Sequence, residues 1–486
     1  MFYSSNQENA LKTKLLQLEC HFTWGFKKED TDLNDLIDRL EEQIQLNIGK
    51  DKGIGRSYTQ LAHVKHLQDF NEEAEKYLVK AEEFAKTTNE HDFEELIIVT
   101  YGNFAWLYYH MGELTKAENY LEKLEDICKK FPTASRYSVL LPVVYGEKGW
   151  SYLRYSKIYY ERAKECFKKA LEGQPDETQW NTGYAIVLYR IQSLEPQGAC
   201  ADDSTALKQL RRALELDPEN AQVMVLLGMK LWEYKQNKEA LKLVEQALKL
   251  SPDNPHVTRY VAKFFRKHGS LDKSLELLRK ALEQTPNSAF LNHQISLSYR
   301  KKISMLKEQN KPFQNRTEIK QLVSMCISHL EKTTKQKPSF FYGQLDLAKM
   351  YAESGNSKKA GELFEEIFKM PNVKSENMQA LYYTYGDFQL YHKGSESLAI
   401  QCYKDGLKIQ KNNSDQIMLY KKLKNLAERK IASNSQDGEA YGILGFAHQM
   451  NNERLEAIRC YEKAILRDPG NDEYLSALCD LRLSLN

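Results

Sequence analysis

The sequence predicts an all-α protein built as a repeat array, and three observations carry that prediction. Proline-terminated stretches recur at a constant interval: Pro218, Pro252 and Pro286 are spaced by 34 residues. Glycine and proline are scarce, 23 and 12 among 486 residues, which counts against a chain rich in β-turns. Hydrophobic residues make up 42% and charged residues 28%, enough apolar surface for a packed core and too much for a disordered chain.

The interval has internal structure. Ala206, Leu210, Ala213 and Pro218 align with Ala240, Val244, Ala247 and Pro252, and again with Ser274, Leu278, Ala281 and Pro286. Each set puts a small residue, a larger apolar one and a second small one on a single helical face, small where a neighbouring helix comes close. The proline stops that helix and opens the next unit. The skeleton recurs at Ala163, Phe167, Ala170 and Pro175, and at Ala457, Tyr461, Ala464 and Pro469. Weaker copies run through Ala117 and Leu121, Ala360 and Phe364, and Ala399 and Tyr403. A period of 34 with this pattern is that of the tetratricopeptide repeat, a helix pair. Stacked pairs form a superhelix, with first helices lining the concave face and second helices outside. Gly112, Gly269 and Gly355 are expected as left-handed residues between paired helices.

Two insertions break the rhythm. Residues 301–320 lengthen one unit between its helices, and residues 195–204 lengthen an earlier connection. The first ninety or so residues are helical but match the repeat poorly, as an atypical capping end would.

Composition excludes several classes. No stretch of about eighteen apolar residues exists, so no membrane span is expected. The first residues lack the charged and apolar regions of a secretory signal, which points to a cytoplasmic protein. The eight cysteines form no C-x-x-C pair and are read as reduced, mostly buried thiols. The net charge of +2 rules out a polycation but leaves room for a local basic channel. There is no Gly-rich phosphate loop, no H-E-x-x-H and no G-x-S-x-G, so the chain is read as a binding protein and not an enzyme. His293 has no carboxylate within a helical turn and is read as polar lining, not a general base.

The inner positions show what is bound. His256, Arg259, Lys263 and Arg266 fall on one stripe of a first helix, with Tyr260 beside them; Phe290, His293 and Arg300 take the equivalent stripe of the next. Upstream, Trp150 and Arg154 pair with Ile186 and Arg190 if the loop at Lys157-Ile158 carries two extra residues. Arginines that hold phosphates bidentately, interleaved with aromatic faces that stack bases, suit single-stranded nucleic acid. The same stripe suits an acidic peptide, so a protein-interaction scaffold is the alternative.

Several segments resemble one family. Cys20-His21-Phe22-Thr23-Trp24, Tyr101 through Met111, Glu147 through Trp150, Gly183 through Ile186, Arg259 through Arg266, Leu291 through Gln294 and Leu475 through Leu483 are similar to the interferon-induced proteins with tetratricopeptide repeats, over essentially the whole chain. The resemblance implies a non-catalytic sensor of foreign single-stranded RNA that takes a 5′-triphosphate or an incompletely methylated cap into a central basic tunnel and blocks translation in innate antiviral defence. It implies three regions: 1–145, an N-terminal lobe with a closing helix and the first repeats; 146–320, the central repeats around the tunnel; and 321–486, a C-terminal lobe. It implies no cofactor beyond an ion at the phosphates, no membrane, and related family members as homo- or hetero-oligomeric partners.

The resemblance also implies roles. Arg39 and Gln43 lie on the closing helix. Arg154, Arg190 and Arg259 match basic residues around the triphosphate, with Arg154 where lysine is usual. Tyr160, Tyr260, Phe290, His293 and Gln294 match residues that hold the first nucleotides, and His256 replaces a tyrosine. Trp150 and Ile186 match a pair that sandwiches the methylguanine, and Asn220 matches a pocket asparagine. Asn47, Gly49 and Gln222 stand where cap-binding members have Leu, Thr and Tyr. Trp150 reads equally as a core indole between helix pairs. The basic helix around Lys422 and Lys424 matches a stretch that meets downstream RNA, or is a solvated face. Tyr461 through Ile465 resembles a partner motif, or is an ordinary second helix.

Overall fold

The computed structural model describes residues 5–45, 52–87, 90–131, 135–193, 204–252, 254–309, 315–371, 373, 375–409 and 413–483. Among them are 24 α-helices and no strand. Most helices pair through short turns, the arrangement the 34-residue period demands. Backbone packing divides the chain into two compact units, residues 1–260 and 261–486. That division falls inside the 146–320 segment of the sequence reading.

The small–large–small stripe is the buried seam of each pair. Ala163, Phe167 and Ala170 are fully buried, as are Ala206, Leu210 and Ala213, and Ala240, Val244 and Ala247. The weaker copies at Ala117, Ala360 and Ala399 are just as inaccessible. The proline stops are equally regular. Gln174, Asp217, Ser251, Thr285 and Asp468, each preceding a proline, leave the helical region for φ between −139° and −129° and ψ between 64° and 84°. The ring of the following proline clashes with a helical residue before it, so the chain must turn out there. Each of the five still donates its N–H to the alanine four residues back. Lys337 before Pro338 ends its helix the same way, donating to Thr333, a sixth stop hidden by the Thr-for-Ala exchange.

Gly112 and Gly355 are left-handed, at φ 77° and 86°. Gly269 is not; its N–H simply continues the helical pattern to the Phe265 carbonyl. Asp69, Lys235 and Asn452 take the left-handed position elsewhere. The 301–320 insertion is spent on helix length: Ala289–Glu308 and Arg316–Gln336 run 20 and 21 residues. The 195–204 connection lies outside the described residues except for Ser204, which caps the helix Thr205–Leu216. Six of the cysteines are buried free thiols and Cys479 is exposed; Cys200 lies outside the described residues.

The Cys20–Trp24 segment is a buried knot. The His21 N–H donates to Asn103 Oδ1 at 3.1 Å, and the His21 ring meets Ser151 Oγ at 3.0 Å and Asn103 at 3.1 Å. Tyr152 Oη donates to the Trp24 carbonyl at 2.8 Å, and His63 meets Tyr155 Oη at 3.0 Å. These bonds tie the N-terminal segment to the helices Glu90–His110 and Pro142–Tyr155, and the latter to Lys52–Leu67. Burial drives the His21 imidazole down to about 3 and lowers His63, His66 and His110 as well. His21 and His63 are held neutral in the fold, and His66 and His110 are shifted the same way, while the unfolded chain protonates near 6.5. Their contribution is therefore complete above pH 6.5 and lost as pH falls. Melting followed by circular dichroism at pH 7.5 and 5.5 is expected to show a lower Tm at pH 5.5. The cost is about 1.4 kcal/mol for each fully buried histidine per pH unit below 6.5. Equal melting at the two values would contradict it.

Candidate functional site

Within residues 1–260, the side chains singled out in the sequence come together from five helices. Leu33–Gln45 carries Arg39, Glu42 and Gln43; Lys52–Leu67 carries Arg56, Ser57 and Gln60; Pro142–Tyr155 carries Glu147, Trp150 and Arg154. Thr178–Gln192 carries Ile186 and Arg190, and Pro255–His268 carries Arg259 and Tyr260. Glu147, Trp150 and Arg154 are three and four residues apart, so one face of their helix presents all three. The short 3-10 turn Lys157–Tyr159 supplies the extra residues that bring Arg154 and Arg190 into matched positions.

The arginines hold one another's backbone and crowd one another's charge. Arg154 Nη1 donates to Gln60 Oε1 at 3.1 Å and Ser57 Oγ at 3.4 Å. Arg39 Nη1 donates to the Arg154 carbonyl at 3.4 Å, while its Nε pairs with Asp35 at 2.9 Å. Arg190 Nη1 donates to the Leu153 carbonyl at 3.0 Å and Tyr160 Oη at 3.4 Å, and the guanidinium lies 5.6 Å from the centre of the Tyr160 ring. Arg190 also shares a hydrogen bond with the Tyr260 side chain. Arg259 is ion-paired with Glu42. Burial first, then the charges of Arg56, Arg39 and Arg190, push Arg154 down to about 9, with Glu147 opposing. Glu147 is itself raised by burial against the pull of Arg56, Thr59 and Arg154. Cations outnumber the carboxylates that face them.

Gln43 is half-buried one residue beyond Glu42. Trp150 is also half-buried and sets its ring edge-on to Phe167, centroids 5.4 Å apart, as a packing indole would. Two guanidinium groups lie over it, Arg56 and Arg154, each 5.5 Å from its centre. Ile186 is buried. Asn220 caps the helix Ala221–Glu233: its Oδ1 accepts from the Val223 N–H, and its Nδ2 reaches Asp217 at 3.0 Å and Thr182 at 3.4 Å. Its carboxamide is thus committed to helix capping. Gln222 is half-buried on the first turn of that helix. The His256 side chain, Asn47 and Gly49 lie outside the described residues.

Within residues 261–486, Lys263 is exposed and Arg266 donates to Gln294 Oε1 at 2.8 Å. Phe290 is 44% exposed, unusual for a phenylalanine on a helix of this core. His293 has no carboxylate within its own helical turn, as expected, but finds one on another helix. Its Nε2 lies 3.1 Å from Asp346 Oδ2, delivered by the helix Phe341–Glu353. Arg300 pairs with the other oxygen of Asp346. Burial raises the Asp346 carboxyl, but the His293 hydrogen bond and Arg300 hold it below its usual range. The trio orients the imidazole. Farther on, Lys422 is paired with Asp387 at 2.8 Å and lies 4.8 Å from the Tyr391 ring centre, and Lys424 faces Glu428 at 3.9 Å. The charge of this late helix is therefore compensated locally, unlike that of the first cluster. Tyr461 is buried at the seam of its helix pair.

Sequence reasoning missed Arg56, Gln60 and Glu42. Their only signal was the four-residue spacing of Arg56 and Gln60, in a segment with no evident repeat register.

Comparison with known proteins identifies the repeat and the family. The tetratricopeptide repeat family matches residues 53–130, 204–263 and 231–292. The first match lies partly in the segment expected to fit the repeat poorly, and corrects it; there Lys52–Leu67 and Asn71–Ala85 form a helix pair. The chain is 40% identical over 459 residues to human protein IFIT1 homolog B, covering 94% of this chain and 96% of that one. It is 38% identical to the human antiviral innate immune response effector IFIT1, covering 95% and 97%. It is 33% identical to mouse interferon-induced protein with tetratricopeptide repeats 2, covering 92% and 93%. Among solved structures, the human IFIT1 dimer with m7Gppp-AAAA is similar at a TM-score of 0.79 and 38% identity, over 95% of this chain and all of that one. The human IFIT1 dimer with PPP-AAAA is similar at 0.76 over the same extent. With a shared repeat architecture and this identity along nearly its whole length, the chain belongs to the family of interferon-induced proteins with tetratricopeptide repeats.

Proposed function

We propose that this protein binds the 5′ end of single-stranded RNA in the cytoplasm, without catalysis, and sequesters that RNA from translation in innate antiviral defence. The observation that carries the reading is the crowding of Arg56, Arg154 and Arg190 in a largely buried place with too few carboxylates, with the half-exposed Arg39 beside them. Clustered buried cations are unfavourable unless an anion joins them. A polyphosphate supplies several negative charges and many acceptors in one ligand, and planar guanidinium groups meet it bidentately. Human IFIT1 solved with PPP-AAAA and with m7Gppp-AAAA supports the choice of ligand.

The side chains divide the work. Arg190 is braced by Tyr160, Tyr260 and the Leu153 carbonyl, so its remaining donors are pre-oriented and lose little freedom on binding. Glu42 holds Arg259 until a phosphate replaces it. Tyr160 and Tyr260 offer rings on which the first bases stack. Arg266, Gln294 and His293, the last oriented by Asp346, offer donors to the sugar–phosphate chain. Family members as oligomeric partners are part of the same proposal.

The direct test is affinity for one short RNA ending in hydroxyl, monophosphate, triphosphate or cap. Triphosphate or capped RNA is expected to bind at least tenfold tighter than hydroxyl RNA; equal affinity for all four overturns the reading. Arg190→Glu and Arg259→Glu are each expected to abolish triphosphate-RNA binding while helical circular dichroism is retained. A scaffold that grips acidic peptides would instead keep its partners after ribonuclease treatment. Arg154→Met is expected to raise stability by about 1–2 kcal/mol, because it relieves buried cation crowding. The same change should weaken triphosphate-RNA binding tenfold or more. A melt showing that it destabilises the protein would refute the crowding.

A further inference from the structure

Arg56 belongs to none of the matched positions, yet it sits at the centre of the cluster. Its side chain is 6% exposed, its Nε is 3.9 Å from Glu147 Oε2, and its guanidinium lies 5.5 Å from the centre of the Trp150 ring, as does that of Arg154. Glu177 adds a second, weaker attraction. Three donors in this neighbourhood are buried with no hydrogen-bond partner: Arg56 Nε, Gln60 Nε2 and Trp150 Nε1. Gln60 is 1% exposed, and its carbonyl oxygen is already taken by Arg154, so only its N–H groups remain to be satisfied. A buried donor left without an acceptor has lost its water without replacement and is destabilising. Here the Gln60 and Trp150 donors lie beside the guanidinium groups of Arg56 and Arg154, and the Glu147 carboxylate, 3.9 Å from Arg56 Nε, is too little acceptor for them all.

We propose that Arg56, Gln60 Nε2 and the Trp150 indole N–H form a donor-lined recess that takes a phosphate of the RNA 5′ end, and that Arg56 and Arg154 over the Trp150 ring keep a cationic 7-methylguanine off it. The proposal rests on the RNA-end reading above and sharpens its ligand to triphosphate over methylated cap. A phosphate oxygen satisfies the orphan donors and neutralises the cations together. A methylguanine carries positive charge and seeks the same negative face of the indole that the two guanidinium groups already use. It gains the stack only by displacing them, and it brings a third cation into their company. Arg56 is thus a specificity-determining residue, delivered to the Trp150 ring by a different helix from those that carry the matched Trp150 and Ile186.

The experiment is a competition on one RNA sequence bearing either a 5′-triphosphate or a 7-methylguanine cap, with wild type, Arg56→Gln and Arg56→Lys. Wild type is expected to prefer triphosphate by tenfold or more. Arg56→Gln should lower triphosphate affinity about tenfold and raise or preserve cap affinity, so that the preference collapses. Arg56→Lys retains the charge and should keep most of the discrimination against the cap. Because Arg56→Gln strands Glu147, the double change Arg56→Gln, Glu147→Gln serves where the single one melts early; it should show the same collapse. Wild type that prefers capped RNA, or a preference unchanged in a folded Arg56→Gln or double variant, overturns the proposal. Wild type indifferent to every 5′ end would overturn the functional reading itself, a different result from binding triphosphate and cap equally well.

Discussion

Close approach between paired helices is the constraint on which the rest depends. Phe167 shows it best: a Cβ placed on Gly149 would come 3.0 Å from its ring, and one placed on Gly183 would come 2.4 Å from it. The ring therefore fills the space left by two glycines, one on the helix of its own pair and one on the next. Tyr403 has the same relation to Gly386, and Tyr461 to Gly445 at 3.1 Å. At Gly228 a Cβ would meet both a side chain and backbone, Val244 Cγ2 at 2.8 Å and the Ala240 carbonyl at 2.9 Å. Interiors packed at this density leave no room for an extra methyl without shifts. Gly149 and Gly183 are 34 residues apart, so in this stretch the contact recurs with the repeat and sets the position of the two helices that carry Arg154 and Arg190.

The first cluster turns that rigidity toward binding. Arg154 and Arg190 are carried by neighbouring first helices held apart by Phe167, so they cannot drift to relieve their repulsion. Their hydrogen bonds go to backbone carbonyls and neutral side chains, Leu153, Ser57, Gln60 and Tyr160, rather than to carboxylates. Neutral partners orient a guanidinium without cancelling its charge. The site is thus arranged for an anion and less stable without one, the usual trade between stability and function.

The later residues follow a different rule. Asp346 takes both His293 and Arg300, Asp387 takes Lys422, and Glu428 takes Lys424. Charge there is matched pair by pair, which orders side chains but leaves little net attraction for phosphate. An exposed Phe290 and an Arg266 held by Gln294 are the features of this unit that suit a base and a backbone.

Much of the fold was legible in the sequence because its signals are local. The 34-residue period, the small–large–small face and the proline stops each depend on residues within one helix or its end, where backbone sterics act directly. Trp150, Arg154, Ile186 and Arg190 could be placed in register from the same period. What the sequence by itself determined was therefore which helices form, where they stop and which face is buried. Only the tertiary structure decided which charges meet. Glu42 reaches Arg259 across 217 residues, Asp346 reaches His293 across 53, and Arg56 crosses from one helix to the Trp150 ring of another. Such encounters depend on how each helix is rotated against its neighbours. The packed seam sets that rotation within each compact unit, and no spacing along the chain records it.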